Sequence, residues 1–302
     1  MFIPRIVGVF VLVSFIGGCA KMPAKDSPPQ MTSDAKNETI AAIKSAAKID
    51  RKTEVIEQIM VESGLDHSIE QLPSQVAVGF DQQPSPPIDN NKRNKFREHL
   101  VQAYDATKMK NEIRGYLIAN YDHKKFPEFL ALLKTPLAQK LTALEKEAQT
   151  PEAQQDMMQR GNIIMSQVTP ERLDLVRQLE EATKATESGL IVQMMMTAVT
   201  MNNLNKIVPT AQKITQEQIK QNLGQIRAQS VYPMRQYMHL LMVYAYNSVN
   251  DGELQQYVTL SKSDVGQWSI DLLNNAMINA SEGVANDLAM RLEKEFVVSN
   301  AL

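Results

Sequence analysis

The chain has 302 residues, with 32 Lys and Arg side chains against 34 Asp and Glu, and a formal net charge of −2. Both signs are interspersed, so no basic face is available to hold the phosphates of a nucleic acid, and that class of partner is excluded. A single cysteine cannot form an internal disulfide, so stability must come from packing, and the length suffices for one large core or two modest ones.

The amino-terminal residues have the pattern of a cleaved leader. Arg5 precedes an apolar run at 6–16, which is shorter than the roughly 18 residues that a membrane span needs. The ending Ile16-Gly17-Gly18-Cys19 resembles a bacterial lipobox. The resemblance implies cleavage before Cys19, diacylation of its thiol and acylation of the new amino group, with palmitate among the acyl groups. The alternative is an ordinary secretory signal with a coincidental cysteine.

Ala20 and the residues after it predict where the chain is held. In the lipoproteins that this leader resembles, an aspartate after the cysteine favours the inner membrane, so Ala20 implies the outer membrane, periplasmic face. Pro23, Pro28 and Pro29 prevent a packed core in the stretch that follows. We therefore divide the chain into a signal peptide at 1–18, a flexible tether at 19–38, a first helical repeat at 39–168 and a second at 169–302.

Apolar residues three and four apart predict helices throughout the first half. A helix from about Thr39 is interrupted at Gly64, and a second ends at the proline-rich stretch 83–87. The spacing from Phe96 to Tyr121 predicts one long amphipathic helix.

The second half continues in the same way. Thr150-Pro151 and Thr169-Pro170 each have the form of a helix start, with a capping hydroxyl before proline. The helix that begins at Pro170 is expected to pass through Gly189 and stop at Pro209, and another to run from about Thr215 to Pro233. The last helix follows Asp264 to nearly the end of the chain. No stretch shows sustained period-two alternation, so the predicted class is all-α, a helical bundle built from two related multi-helix repeats.

Two similar corners suggest that a unit was duplicated. Thr135-Pro136 and Ser263-Asp264 each join two apolar helices, and the hydroxyl can cap the second helix of each pair. These corners lie 128 residues apart, and two other segments recur in the same order. Shared helical periodicity plus chance is the alternative. Two repeats are fewer than an open solenoid needs, so we expect them to pack against each other.

The corner segments resemble a bacterial family. Segment 129–141 reads FLALLKTPLAQKL and segment 257–267 reads YVTLSKSDVGQ. Both resemble the motif of the bacterial DUF2059 (domain of unknown function 2059) family, in which an aromatic-rich helix reaches a Ser-Pro or Thr-Pro step, then a small residue and Gln. The resemblance implies an exported helical protein with no catalytic residues to transfer. Ala138, where glycine is usual, and Asp264, where proline is usual, depart from the motif.

The residues that could carry chemistry are scattered. His67, His99, His123 and His239 lie in unrelated contexts, and neither a nucleophile motif nor a zinc-ligand spacing is present. His123 beside Asp122 is expected to be a pair on a surface loop. We therefore predict no enzyme, no metal site and no cofactor apart from the covalent lipid on Cys19.

Methionines cluster on the helix before Pro209. Met194, Met195 and Met201 either fill irregular gaps in a core or line an apolar groove, and a copper site is a third alternative. Trp268, the only tryptophan, is expected to anchor the core between the repeats, beside that groove.

These patterns predict a membrane-anchored envelope lipoprotein that acts as a non-catalytic interaction or structural module, with an envelope protein as its partner. The alternative is a carrier that holds a lipid or other apolar ligand between the repeats. A hydrolase whose site is assembled from distant residues is a third class.

Overall fold

The computed structural model describes residues 51–81, 89–208 and 210–297. Every regular element in these three ranges is helical, and none of their residues forms a strand, so the all-α prediction is confirmed. The signal peptide, the tether, Cys19, the helix start at Thr39, the stretch 83–87 and Pro209 lie outside the described residues. The helices that are described are α1 (51–62), α2 (Leu65–Asp81), α3 (Asn90–Ala103), α4 (Ala106–Ala119), α5 (Lys125–Leu133), α6 (Pro136–Ala148), α7 (Pro151–Gln167), α8 (Pro170–Thr183), α9 (Ala185–Ile207), α10 (Gln216–Ala245), α11 (Asp251–Lys262) and α12 (Asp264–Leu292). A single 3-10 turn, Thr210–Gln212, and a short π-helix, Glu293–Val297, complete the described elements.

Side-chain caps fix the helix starts that the sequence predicts. At both corners the hydroxyl accepts from the third helical amide, Thr135 from Ala138 N at 3.3 Å and Ser263 from Gly266 N at 3.1 Å. Thr150 and Thr169 cap α7 and α8 in the same way. Each oxygen satisfies an amide that has no partner within its helix. The predicted helix–cap–helix corners and Thr-Pro starts are thus confirmed.

Three predicted helix bounds are wrong. The helix expected from Phe96 to Tyr121 is two helices, because the Asp105 carboxylate accepts from Lys108 N and caps a new start. The helix expected from Pro170 to Pro209 breaks at Lys184, whose left-handed φ of 54° ends α8. Conversely, Pro233 lies inside α10, where the loss of one backbone donor leaves the helix intact.

The buried apolar side chains form two cores. The first core contains residues of α1 to α5 and α12 together with Ala138 at the start of α6, and the second contains residues of the rest of α6, α7, α8, α10 and α11. Helix α9 adjoins both, since Leu190 belongs to the second core while Val192, Met196 and Val199 pack against the first. The cores therefore do not follow the boundary at 168/169: α6 and α7 lie with the later helices, and α12 lies with the earlier ones.

Two contacts occupy equivalent places in the predicted repeats. Lys125 Nζ lies 5.4 Å from the centroid of the Trp268 ring, and Lys140 Nζ lies 2.7 Å from Glu253 Oε1. Adding the 128-residue offset to Lys125 gives Glu253, and adding it to Lys140 gives Trp268. The corner helices of each half thus meet those of the other half in a reciprocal way. The duplication itself stays a prediction.

Candidate binding cleft

A cleft of about 540 Å³ opens where the end of α8, the start of α9 and the middle of α10 meet. Its floor contains Glu180, Thr186 and His239, all buried, beside the apolar side chains of Leu190 and Val231. Charged side chains of both signs form its rim, namely Arg177, Glu181, Lys184, Glu187 and Arg235.

The backbone between α8 and α9 places the floor residues. Lys184 adopts the left-handed conformation and its amide bonds back to α8, so the chain turns sharply and Thr186 comes near Glu180. Gly189 then lets α9 approach α10: a Cβ there would lie 2.8 Å from the Met238 methyl carbon. His239 follows Met238 in α10, and its Nε2 lies 3.8 Å from the Glu180 carboxylate of α8.

The floor is polar but poorly bonded. Glu180 Oε2 lies 3.8 Å from both His239 Nε2 and Arg235 Nε, which exceeds hydrogen-bond distance. Thr186 is 4% exposed and His239 is 6% exposed, yet neither Thr186 Oγ1 nor His239 Nε2 makes a hydrogen bond with any of the described residues. Buried polar groups usually have partners, so two unpartnered groups beside a carboxylate mark this floor as a candidate site.

The Glu180 carboxyl is held in its charged form. Burial raises its pKa, but the nearby polar side chains of His239 and Thr186 and the positive charge of Arg235 lower it more, and the net pKa lies below the ordinary value. The cleft therefore presents a fixed negative charge at its base at neutral pH.

The rim is unevenly paired. Lys184 pairs with Asp271, and Glu187 pairs with Arg227 at 2.7 Å. Arg177 and Glu181 are exposed and form no ion pair with another residue in the described ranges. One cation and one anion at the rim thus remain available to a ligand.

The residues singled out from the sequence lie elsewhere. Trp268 packs edge-on against Phe126 at 5.3 Å and Phe129 at 6.3 Å, so it joins α12 to α5 within the first core. The predicted groove methionines Met194, Met195 and Met201 are half-buried on α9, and none of them lines the cleft. The corner residues Thr135, Pro136, Ser263 and Asp264 act as caps and first-turn residues.

Sequence reasoning missed the cleft. His239 carried no distinguishing context, and Glu180 and Thr186 carried no signal at all. They are brought together by a left-handed lysine and a glycine contact, and no spacing in the sequence reveals either. His123 and Asp122 are exposed as expected, with Asp122 Oδ1 accepting from the amides of Lys124 and Lys125.

Within the described ranges, no three His, Cys, Asp or Glu side chains lie close enough to hold a metal ion together. In the same ranges, no helix combines the length and the apolar character that crossing a membrane requires. Comparison with known proteins gives no matching protein family, no similar curated protein and no similar solved structure.

Proposed function

We propose that this protein is a lipid-anchored, non-catalytic binding module at the periplasmic face of the outer membrane. The observation that carries the binding role is the cleft floor, where Thr186 Oγ1 and His239 Nε2 are buried without a hydrogen-bond partner among the described residues, beside the Glu180 carboxylate. A ligand that supplies those bonds would stabilise the fold as it binds.

The anchoring part of the proposal rests on the leader. Cys19 is the only cysteine and follows a short apolar run, as lipidation requires. Two acyl signals hold a protein durably at a bilayer, whereas one chain binds only marginally. The proline-rich tether would then join the acylated residue to the helical body.

Changing Cys19 to Ala tests the anchor. The wild-type chain is expected to sediment with outer membranes in high salt, and the Cys19→Ala variant to be released or left unprocessed. A matched Ser27→Ala change in the tether should leave sedimentation unaltered. A Cys19→Ala variant that still sediments with outer membranes would refute the anchor.

We also propose that the two halves descend from one duplicated DUF2059-like unit. The reciprocal contacts Lys125–Trp268 and Lys140–Glu253 support this, since equivalent positions meet across the two halves. The role is then one of recognition, and an envelope protein or a small molecule is the expected partner.

The carrier of an apolar ligand is the second candidate. It is favoured by the long apolar helix α9, on which Met194, Met195 and Met201 are only half-buried. Native mass spectrometry of the protein purified from cells separates the two: a bound lipid supports the carrier, and a bound polar molecule or protein supports the recognition module.

A further inference from the structure

We infer that the cleft between α8, α9 and α10 binds a small zwitterion, a primary ammonium group joined through a few bonds to a carboxylate or phosphate. This inference deepens the proposed binding role and rests on it. Free amino acids and the phosphoethanolamine headgroup of a lipid share this chemistry.

The base of the cleft presents the Glu180 carboxylate, so it suits a ligand group that donates hydrogen bonds. Glu180 is buried and ionised, and its two nearest positive or potentially positive partners stand 3.8 Å away. A carboxylate gains most from short hydrogen bonds to a charged donor, and neither of these neighbours is close enough to supply one. An ammonium group offers three N–H donors and a positive charge, which suits this position.

The mouth of the cleft presents positively charged hydrogen-bond donors, so it suits an anionic acceptor group of a ligand. Arg235 lies half-exposed beside Glu180, and Arg177 is exposed without an ionic partner among the described residues. Guanidinium groups bind carboxylates and phosphates through paired hydrogen bonds. A ligand whose ammonium reaches Glu180 can therefore place its anionic group against these arginines.

The cleft also distinguishes between kinds of ammonium. Quaternary ammonium groups have no N–H and are recognised by cages of Trp, Tyr and Phe rings. Among the residues that the structure describes, none of these rings lines the cleft, whose apolar walls are Leu190 and Val231. Its volume of about 540 Å³ lies within the range of small-ligand sites. A primary ammonium is thus preferred over a methylated one.

Calorimetric titration of the acylated full chain, in a non-ionic detergent, tests the inference with glycine, O-phosphoethanolamine and phosphocholine. Glycine, phosphoethanolamine or both should bind saturably, and phosphocholine at least tenfold more weakly than phosphoethanolamine or not at all. Binding of phosphoethanolamine alone identifies the headgroup as the source, and binding of glycine identifies an amino acid or a peptide end.

Variants assign the binding to the cleft. Glu180→Gln should weaken it at least tenfold, and Arg235→Gln, at a position whose side chain is half-exposed, should weaken it several-fold. Asp174→Asn, an exposed change elsewhere on α8, should not alter it. The inference is overturned if neither zwitterion binds, if phosphocholine binds as tightly as phosphoethanolamine, or if both cleft variants bind like wild type. Such a failure leaves the Cys19 experiment and the native mass spectrum to decide the broader role.

Discussion

Glu145 illustrates how a single buried charge is tolerated in the second core. It is 1% exposed and accepts hydrogen bonds from the hydroxyl groups of Tyr246 and Tyr257. Burial raises the pKa of both tyrosines well above its usual value, and the neighbouring carboxylate raises it further, so both phenols stay protonated donors. The network joins α6 to α10 and α11.

Changing Tyr246 to Phe should cost about 2 kcal/mol of unfolding free energy, because a buried carboxylate loses a charge-assisted donor while the ring packing is kept. Urea unfolding followed by circular dichroism measures this. Tyr232→Phe, at a position 71% exposed, is the matched control and should change little. Equal stability of the two variants would show that the Glu145 network contributes nothing.

The Glu180 carboxyl group should make the free energy of unfolding depend on pH in the acidic range. Its folded pKa lies below the ordinary value of 4.5, so its contribution is present above that value and is lost as the pH falls through the folded pKa. We expect the wild-type protein to lose more unfolding free energy than Glu180→Gln between about pH 7 and about pH 3.5. Parallel pH profiles for the two proteins would contradict the assignment.

At the scale of helices, the second corner is the tighter of the two. Only Ser263 separates α11 from α12, whereas Lys134 and Thr135 separate α5 from α6. A Cβ on Gly266 would lie 2.2 Å from the Leu260 carbonyl oxygen, so the α12 backbone passes directly against the end of α11. The equivalent position of the first corner, Ala138, holds a Cβ because that corner is longer.

Gly266→Ala should therefore destabilise the protein by about 3 kcal/mol, since backbone must move to admit the methyl group. Gly224→Ala is the matched control on α10, where nothing lies within 4 Å of the added Cβ. It should stabilise by up to about 1 kcal/mol, because alanine favours a helix more than glycine does. Thermal unfolding compares the two, and a neutral Gly266→Ala would refute the close approach.

The sequence predicted those helix ends that have a chemical cause within a few residues. Thr135, Thr150, Thr169 and Ser263 cap because a hydroxyl lies three residues before a free amide. Asp105 could have been read in the same way, but the periodicity around it concealed the break. The helix break at Lys184 could not be predicted from the sequence, because lysine has no preference for the left-handed region and takes it here under tertiary packing.

For the whole molecule, periodicity predicted the class but not which helices meet. Amphipathic spacing shows that each helix buries one face, and it contains no information on the partner of that face. Only the structure therefore reveals which helices form each of the two cores, with α12 in the first and most of α6 in the second. The cleft could not be predicted from periodicity for the same reason, because Glu180 and His239 belong to helices far apart in the chain.

The two cores should unfold together. Helix α9 adjoins both, and α11 of the second core continues into α12 of the first through one residue. Trp268, the only tryptophan, reports on the first core by fluorescence, while circular dichroism reports on all helices. We expect coincident urea transitions by the two probes. A separate, earlier fluorescence transition would show that the cores are independent.

Residues 264–292 follow the other described α-helices in the chain, yet they complete the core formed by the earliest described helices. The first half consequently lacks one of its apolar walls until these residues have been synthesised. If the proposed leader directs export, this order of events would keep the nascent polypeptide unfolded enough to cross a membrane, and compaction would follow delivery.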